Sequence, residues 1–365
     1  MKKFRKIAAC ALAAVMMFSL SACGVSGDQV NSGGSDSGEK SNRIAVAMPT
    51  KDLQRWVQDG SNMKSELEKA GSTVDIQYAN NDIATQVSQI ENMIAANPDG
   101  LVVASIDGSA LGTALQGAKD KNIPVIAYDR LIMESDAVSY YATFDNELVG
   151  RLQGQYIEEK LDLKNADGPF NIELFTGSSD DNNCKYFFGG AMEVLQPYID
   201  SGKLVVKSGS TTLAECATPN WSTEEAQKRM ENILSAYYPD GTKLDAVLSS
   251  NDSVANGITN ALKASYKGDF PILTGQDCDI TSVKNIIAEK QSMSIFKDTR
   301  QLASKVVEMV TAIQEGKEVP VNDTETYDNG KGVIPSFLCE PVFADKDNYK
   351  ELLVDSGYYK ESELK

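Results

Sequence analysis

From residue 43 onward the apolar positions follow two alternating periods. Short apolar runs at 44–48, 74–78, 101–104, 123–127 and 140–143 predict buried strands. Between them the spacing turns helical. Trp56, Met63 and Leu67 mark a helix within 53–70, and Ile83, Val87, Ile90 and Ile94 share one face of the next. Helices are also predicted at 109–121 and 146–161. The pattern then restarts, with strands at 171–175, 204–207, 246–249, 272–274 and 292–296 and helices at 184–195, 223–238, 252–266, 280–289 and 299–315. Short buried strands alternating with helices predict parallel sheets covered on both faces. Two such runs predict an α/β fold of two doubly wound parallel-sheet lobes, in keeping with a chain of 365 residues, too long for one comfortable core.

The first residues do not fit this pattern. Lys2, Lys3, Arg5 and Lys6 precede an apolar stretch at 7–20, shorter than the ~20 residues of a spanning helix. Small residues follow, so 1–22 reads as a secretory signal. Leu20-Ser21-Ala22-Cys23 resembles the bacterial lipobox, which implies cleavage before Cys23, a lipid on its sulfur, and a protein held outside the cytoplasm on the cell membrane. Residues 24–42 are rich in Gly, Ser, Asp and Asn and read as a flexible tether.

Charge and composition narrow the chemistry. A formal net charge of −17, more negative once the basic leader is removed, makes nucleic acid a poor partner. Histidine is absent, which removes Ser-His-Asp and Cys-His nucleophile pairs and the commonest zinc ligand. Cys184, Cys216, Cys278 and Cys339 form no CxxC pair, so no metal centre is expected; three disulfide pairings or free thiols all remain open. No GxGxxG follows the first strand and no phosphate-binding P-loop motif occurs, so no nucleotide cofactor is expected. Gly189-Gly190 lies inside a helix and reads as close packing.

In open parallel sheets, ligands sit beyond the carboxyl ends of the strands. Here those positions hold Arg55-Trp56, Ser105-Ile106-Asp107, Asp129-Arg130, Asp145-Asn146, residues 176–183, Asn251-Asp252, Gln276-Asp277 and Lys297-Asp298. Carboxylates, amides and guanidinium groups suit a ligand covered in hydroxyls, each at once donor and acceptor. Aromatic faces suit the C–H faces of a pyranose, and the only two tryptophans, Trp56 and Trp221, stand beside polar residues. Asp180-Asp181 is the best candidate for a glycosidase-like carboxylate pair, although adjacent loop carboxylates usually cap helices or accept from ligands.

Taken together, Met48-Pro49-Thr50, Gln54-Arg55-Trp56, Ile126-Ala127-Tyr128-Asp129-Arg130, Tyr141-Ala142-Thr143-Phe144-Asp145-Asn146, Asp181-Asn182-Asn183, Leu273-Thr274-Gly275-Gln276-Asp277 and Phe296-Lys297-Asp298-Thr299-Arg300 resemble the type I periplasmic-binding proteins that deliver sugars to ABC transporters. The resemblance is nearest to the xylose and multiple-monosaccharide branch and spans about residues 43–355. It implies two lobes joined by a three-crossing hinge. The first would hold 43–146 plus about 298–325, the second 147–297 plus about 326–365. It further implies a monomeric receptor, not an enzyme, without cofactor or metal, whose partners are a monosaccharide of the xylose, galactose or glucose type and an ABC transporter permease. The implied pocket residues are Arg55, Trp56, Asp129, Arg130, Asp181, Asn183, Trp221, Asn251, Asp277 and Lys297, with the two indoles sandwiching the sugar. Asn220 and Ser250-Asn251-Asp252 depart from the multiple-sugar pattern and leave the sugar open. Two other readings compete: a sugar sensor for a membrane signalling partner, and a secreted carbohydrate-active enzyme. A DNA-binding repressor of this fold is excluded by the leader and the acidic charge.

Overall fold

The computed structural model describes residues 42–365, so the leader, Cys23 and almost all of the tether lie outside the described residues. Strands β1 (Arg43–Met48), β2 (Thr73–Tyr78), β3 (Gly100–Val103), β4 (Val125–Tyr128) and β5 (Val138–Phe144) alternate with helices α1 (Gln54–Lys69), α2 (Ile83–Ala95) and α3 (Gly112–Asp120). They form one parallel sheet in the order β2-β1-β3-β4-β5. The strand period explains the two layers. Ile44, Val46 and Met48 pack with Trp56, Met63 and Leu67 of α1, whereas Ala45 and Ala47 pack with Ile90, Met93 and Leu115 of α2 and α3.

Helix α4 (Asn146–Lys160) opens the second lobe. It is followed by β6 (Phe170–Phe175), α5 (Asn183–Asp200), β7 (Leu204–Val206), α6 (Thr223–Tyr237), β8 (Ala246–Ser249), α7 (Asp252–Ser265), β9 (Ile272–Leu273), α8 (Ile280–Ile287) and β10 (Met293–Phe296). Parallel strands run β7-β6-β8-β9, and a bridge from Gln276 to Ile295 continues the sheet to β10. Helices α4 and α5 lie close because Gly190 has no side chain: a Cβ there would collide with the Glu147 carbonyl. Gly189 faces open space, so only one of the pair serves packing.

The chain crosses between lobes three times, at 144–146, at 296–299 and at 339–342. After the second crossing α9 (Thr299–Glu315) returns to pack on α1. The third crossing differs from the expected border near 325. Strand β11 (Ser336–Cys339) adds to the first sheet in parallel beside β5, pairing Ser336 with Tyr141 and Cys339 with Phe144. Tyr327 and Ile334 also bury in the first lobe. Four residues between Pro335 and Glu340 are too few to show a period, which is why this strand escapes a sequence reading. Only with β12 (Val342–Asp345), antiparallel to β10, does the chain rejoin the second lobe. Helix α5 also runs on through Pro197 to Asp200, past the predicted end at 195. The four cysteines from Cys184 to Cys339 are buried free thiols. Among the described residues no helix is long and apolar enough to cross a membrane.

Candidate functional site

Both sheets direct their strand ends toward one cavity between the lobes. Residues 53–56 follow β1, Asp129 and Arg130 follow β4, Asp181 lies between β6 and α5, Asn183 opens α5, Asn251 follows β8, Gln276 and Asp277 follow β9, and Lys297 follows β10. Trp221 arrives on a short 3₁₀ turn, Pro219–Trp221, ahead of α6. All ten residues singled out from the sequence line this cavity, joined by Leu53, Phe187 and Gln276. Phe187 is one helical turn beyond Asn183, and Gln276 stands in a strand-end segment. Nothing in the sequence marked Leu53.

Charge in the lining is balanced: Arg55, Arg130 and Lys297 face Asp129, Asp181 and Asp277. Arg55 is the hub. Its Nη2 lies 2.9 Å from Asp129 Oδ1 and its Nη1 3.4 Å from Asp277 Oδ1, across the cleft. From below, Asp59 accepts Arg55 Nε at 2.9 Å and Nη2 at 2.7 Å, one helical turn along α1, and also accepts the Tyr128 hydroxyl. Lys297 Nζ stands 3.2 Å from Asp277 Oδ1 and 3.6 Å from Asp129 Oδ1. Arg130 Nε lies 3.0 Å from Asp181, while its Nη1 donates to the Ser105 and Ile106 carbonyls at 3.0 and 3.2 Å.

Burial and cations compete at each carboxyl. Burial pushes Asp129 up, yet Arg55, Lys297 and Arg130 together outweigh it and hold the group below its ordinary pKa. Burial wins at Asp181, where Arg130 is the chief counterweight, and at Asp59 despite Arg55; both are raised. Arg55 loses by burial and gains more from Asp129, Asp59 and Asp277, so its guanidinium stays charged. Behind the pocket, burial and then neighbouring Asp277 lift Asp279 to about 7.

Aromatic groups complete the walls. Trp56 is 1 % exposed, with the guanidinium carbons of Arg55 and Arg130 at 4.5 and 5.1 Å from a ring centroid. Trp221 meets Phe187 edge to face at 6.3 Å and lies so close to Gly177 that a Cβ there would collide with the indole. The indole Nε1 of both tryptophans and Gln276 Oε1 are buried without a hydrogen-bond partner in the protein.

Several polar strand-end residues serve the backbone instead. Asp145 and Asp298 cap α4 and α9. Asn251 is both a cap, accepting the Val254 N–H at 3.0 Å, and a lining residue. Asn183 is largely committed to the protein. Its Oδ1 accepts from Tyr141 and Asn146, and its Nδ2 donates to the Asp129 carbonyl at 2.8 Å, linking the two lobes. Of the adjacent pair Asp180-Asp181, only Asp181 lines the cavity, so the glycosidase-like pair does not assemble there.

This fold, two parallel-sheet lobes around a cleft, is that of the type I periplasmic binding proteins. The chain belongs to the periplasmic binding protein domain family, which it matches over residues 44–318. It is 53% identical over 326 residues to the multiple sugar-binding periplasmic receptor of Rhizobium radiobacter, covering 88% of this chain and 92% of that one. It is 38% identical to the D-xylose-binding periplasmic protein of Escherichia coli, over 88% and 92% of the two chains. A solved ABC transporter solute-binding protein from Clostridium phytofermentans, with bound β-D-glucose, superposes with a TM-score of 0.88 at 67% identity, covering 88% of this chain and all of that one.

Proposed function

We propose that the protein captures one monosaccharide between its lobes and delivers it to an ABC importer. The observation that carries this reading is the lining itself. Three cations balanced by three carboxylates favour a neutral ligand, and buried indole N–H groups and a Gln276 oxygen without protein partners call for a ligand rich in donors and acceptors. The relatives support the same class, since their names or bound ligands include D-xylose and β-D-glucose. In this reading Asp129 and Arg130 bond sugar hydroxyls from the first lobe, Asn251, Gln276, Asp277 and Lys297 from the second, and the indoles cover the ring. Asn183 contributes at most its second amide N–H.

The protein acts as a receptor without turnover. Outside the cytoplasm, Cys23 carries the lipid and residues 24–42 tether the lobes; the order Leu20 to Cys23 supports this. Calorimetric titration of the chain lacking its leader against xylose, galactose, glucose, arabinose and ribose tests the ligand class. One-to-one binding of at least one sugar is expected, and no detectable binding of any would overturn the reading.

A further inference from the structure

The C-terminal segment packs on the second lobe yet reaches the first. Leu353, Tyr359 and Leu364 bury against Cys278, Val283, Phe296 and Ala344. Tyr359 is 4 % exposed, and its hydroxyl donates to the Cys278 carbonyl at 3.0 Å. The same oxygen accepts from Gln54 Nε2 at 2.7 Å and Gln58 Nε2 at 3.1 Å, both on α1 of the first lobe. Gln54 Oε1 in turn accepts the Ile280 N–H at 3.1 Å, at the start of α8. Tyr358 adds bonds to Gln58 Oε1 at 3.3 Å and Thr299 Oγ1 at 3.2 Å. None of these four side chains lines the cavity.

We infer that Tyr358 and Tyr359, with Gln54 and Gln58, form a ligand-independent clasp that stabilises the closed arrangement and sets how long a captured ligand is held. The inference rests on the capture reading above. Its logic is geometric. Gln54 directly precedes Arg55, which meets Asp277, and Cys278 directly follows Asp277. Any opening that parts Arg55 from Asp277 therefore also parts Gln54 from Tyr359 and Ile280. A ligand held only by the closed state is released through opening, so bonds made between protein groups on closure slow release without touching the ligand.

Y359F removes one hydroxyl and little volume; a second variant, Q54M/Q58M, removes the partners from the other lobe. Stopped-flow tryptophan fluorescence with the tightest-binding monosaccharide reads the release rate, calorimetry the affinity, and thermal melting of sugar-free protein the fold. Both variants are expected to release sugar roughly 2- to 12-fold faster, the scale of one or two neutral hydrogen bonds, with unchanged fluorescence at saturation. A lower melting temperature with an unchanged release rate marks a merely structural hydroxyl and overturns the clasp. Should wild-type protein bind no monosaccharide, the capture reading fails. The clasp is then judged on sugar-free protein by small-angle scattering, where Y359F must increase the radius of gyration; an unchanged value overturns it.

Discussion

Asp277→Asn isolates the charge that crosses the cleft. The substitution keeps shape and leaves an amide oxygen facing Arg55 and Lys297, at 3.4 and 3.2 Å from the present carboxylate. At an effective dielectric of about 20, a unit pair at the Arg55 spacing of 3.4 Å is worth roughly 5 kcal/mol gross. Taking both groups out of water on closure offsets much of that. What remains is the scale of a hydrogen bond to a charged group, about 1.5–3 kcal/mol, or roughly 10- to 150-fold in sugar affinity. The fold responds differently. Asp277 raises the pKa of both Asp279 and Asp252, a sign of like-charge crowding, so its neutralisation relieves repulsion in sugar-free protein. Calorimetry should therefore show the weakened affinity while thermal melting of sugar-free protein shows no loss. Affinity within two-fold of wild type would refute the reasoning, as would a drop in melting temperature large enough to account for the lost binding.

Trp221→Ala and Trp56→Ala should each weaken sugar binding by about 1–3 kcal/mol, read by calorimetry; Trp56→Ala should also lower the melting temperature, because two guanidinium groups pack on that ring. Asp279 sits near 7 when folded, well above an unfolded aspartate, so the folded state holds the proton more tightly. Its burial therefore costs little in acid, and stability falls as pH rises from about 4 to about 7. Asp279→Asn should accordingly raise the melting temperature more at pH 8 than at pH 5, and an equal gain at both would contradict the shift. On the lipid-anchor reading, Cys23→Ala should block lipid attachment and release the protein from membranes on fractionation, since two or more acyl chains hold firmly where one binds only marginally, while leaving the sugar affinity of the purified lobes unchanged.

Much of the site was legible because the fold rule is local. Parallel strands buried on both faces read as short apolar runs, and whatever follows each run lies at the strand's carboxyl end. Strand ends alone, however, did not separate ligands from caps. Asp145, Asp298 and Asn251 share the same sequence context, yet the first two serve helix termini while Asn251 both caps and lines. Asn183 was legible as a pocket residue, but its commitment to Asp129 and Tyr141 depends on where the other lobe stands.

By itself the sequence determined the two α/β runs, the strand-end residues and the acidic, histidine-free chemistry, because periodicity and composition are properties of neighbours along the chain. Tertiary structure alone decided that β11 belongs to the first sheet, that Asp59 and Tyr128 hold Arg55 from below, and that the C-terminal tyrosines reach across to Gln54 and Gln58. Most of those contacts join residues far apart in sequence, some by about 300 positions, and no local period encodes which distant partner satisfies a buried polar group. That is settled only when the two lobes meet.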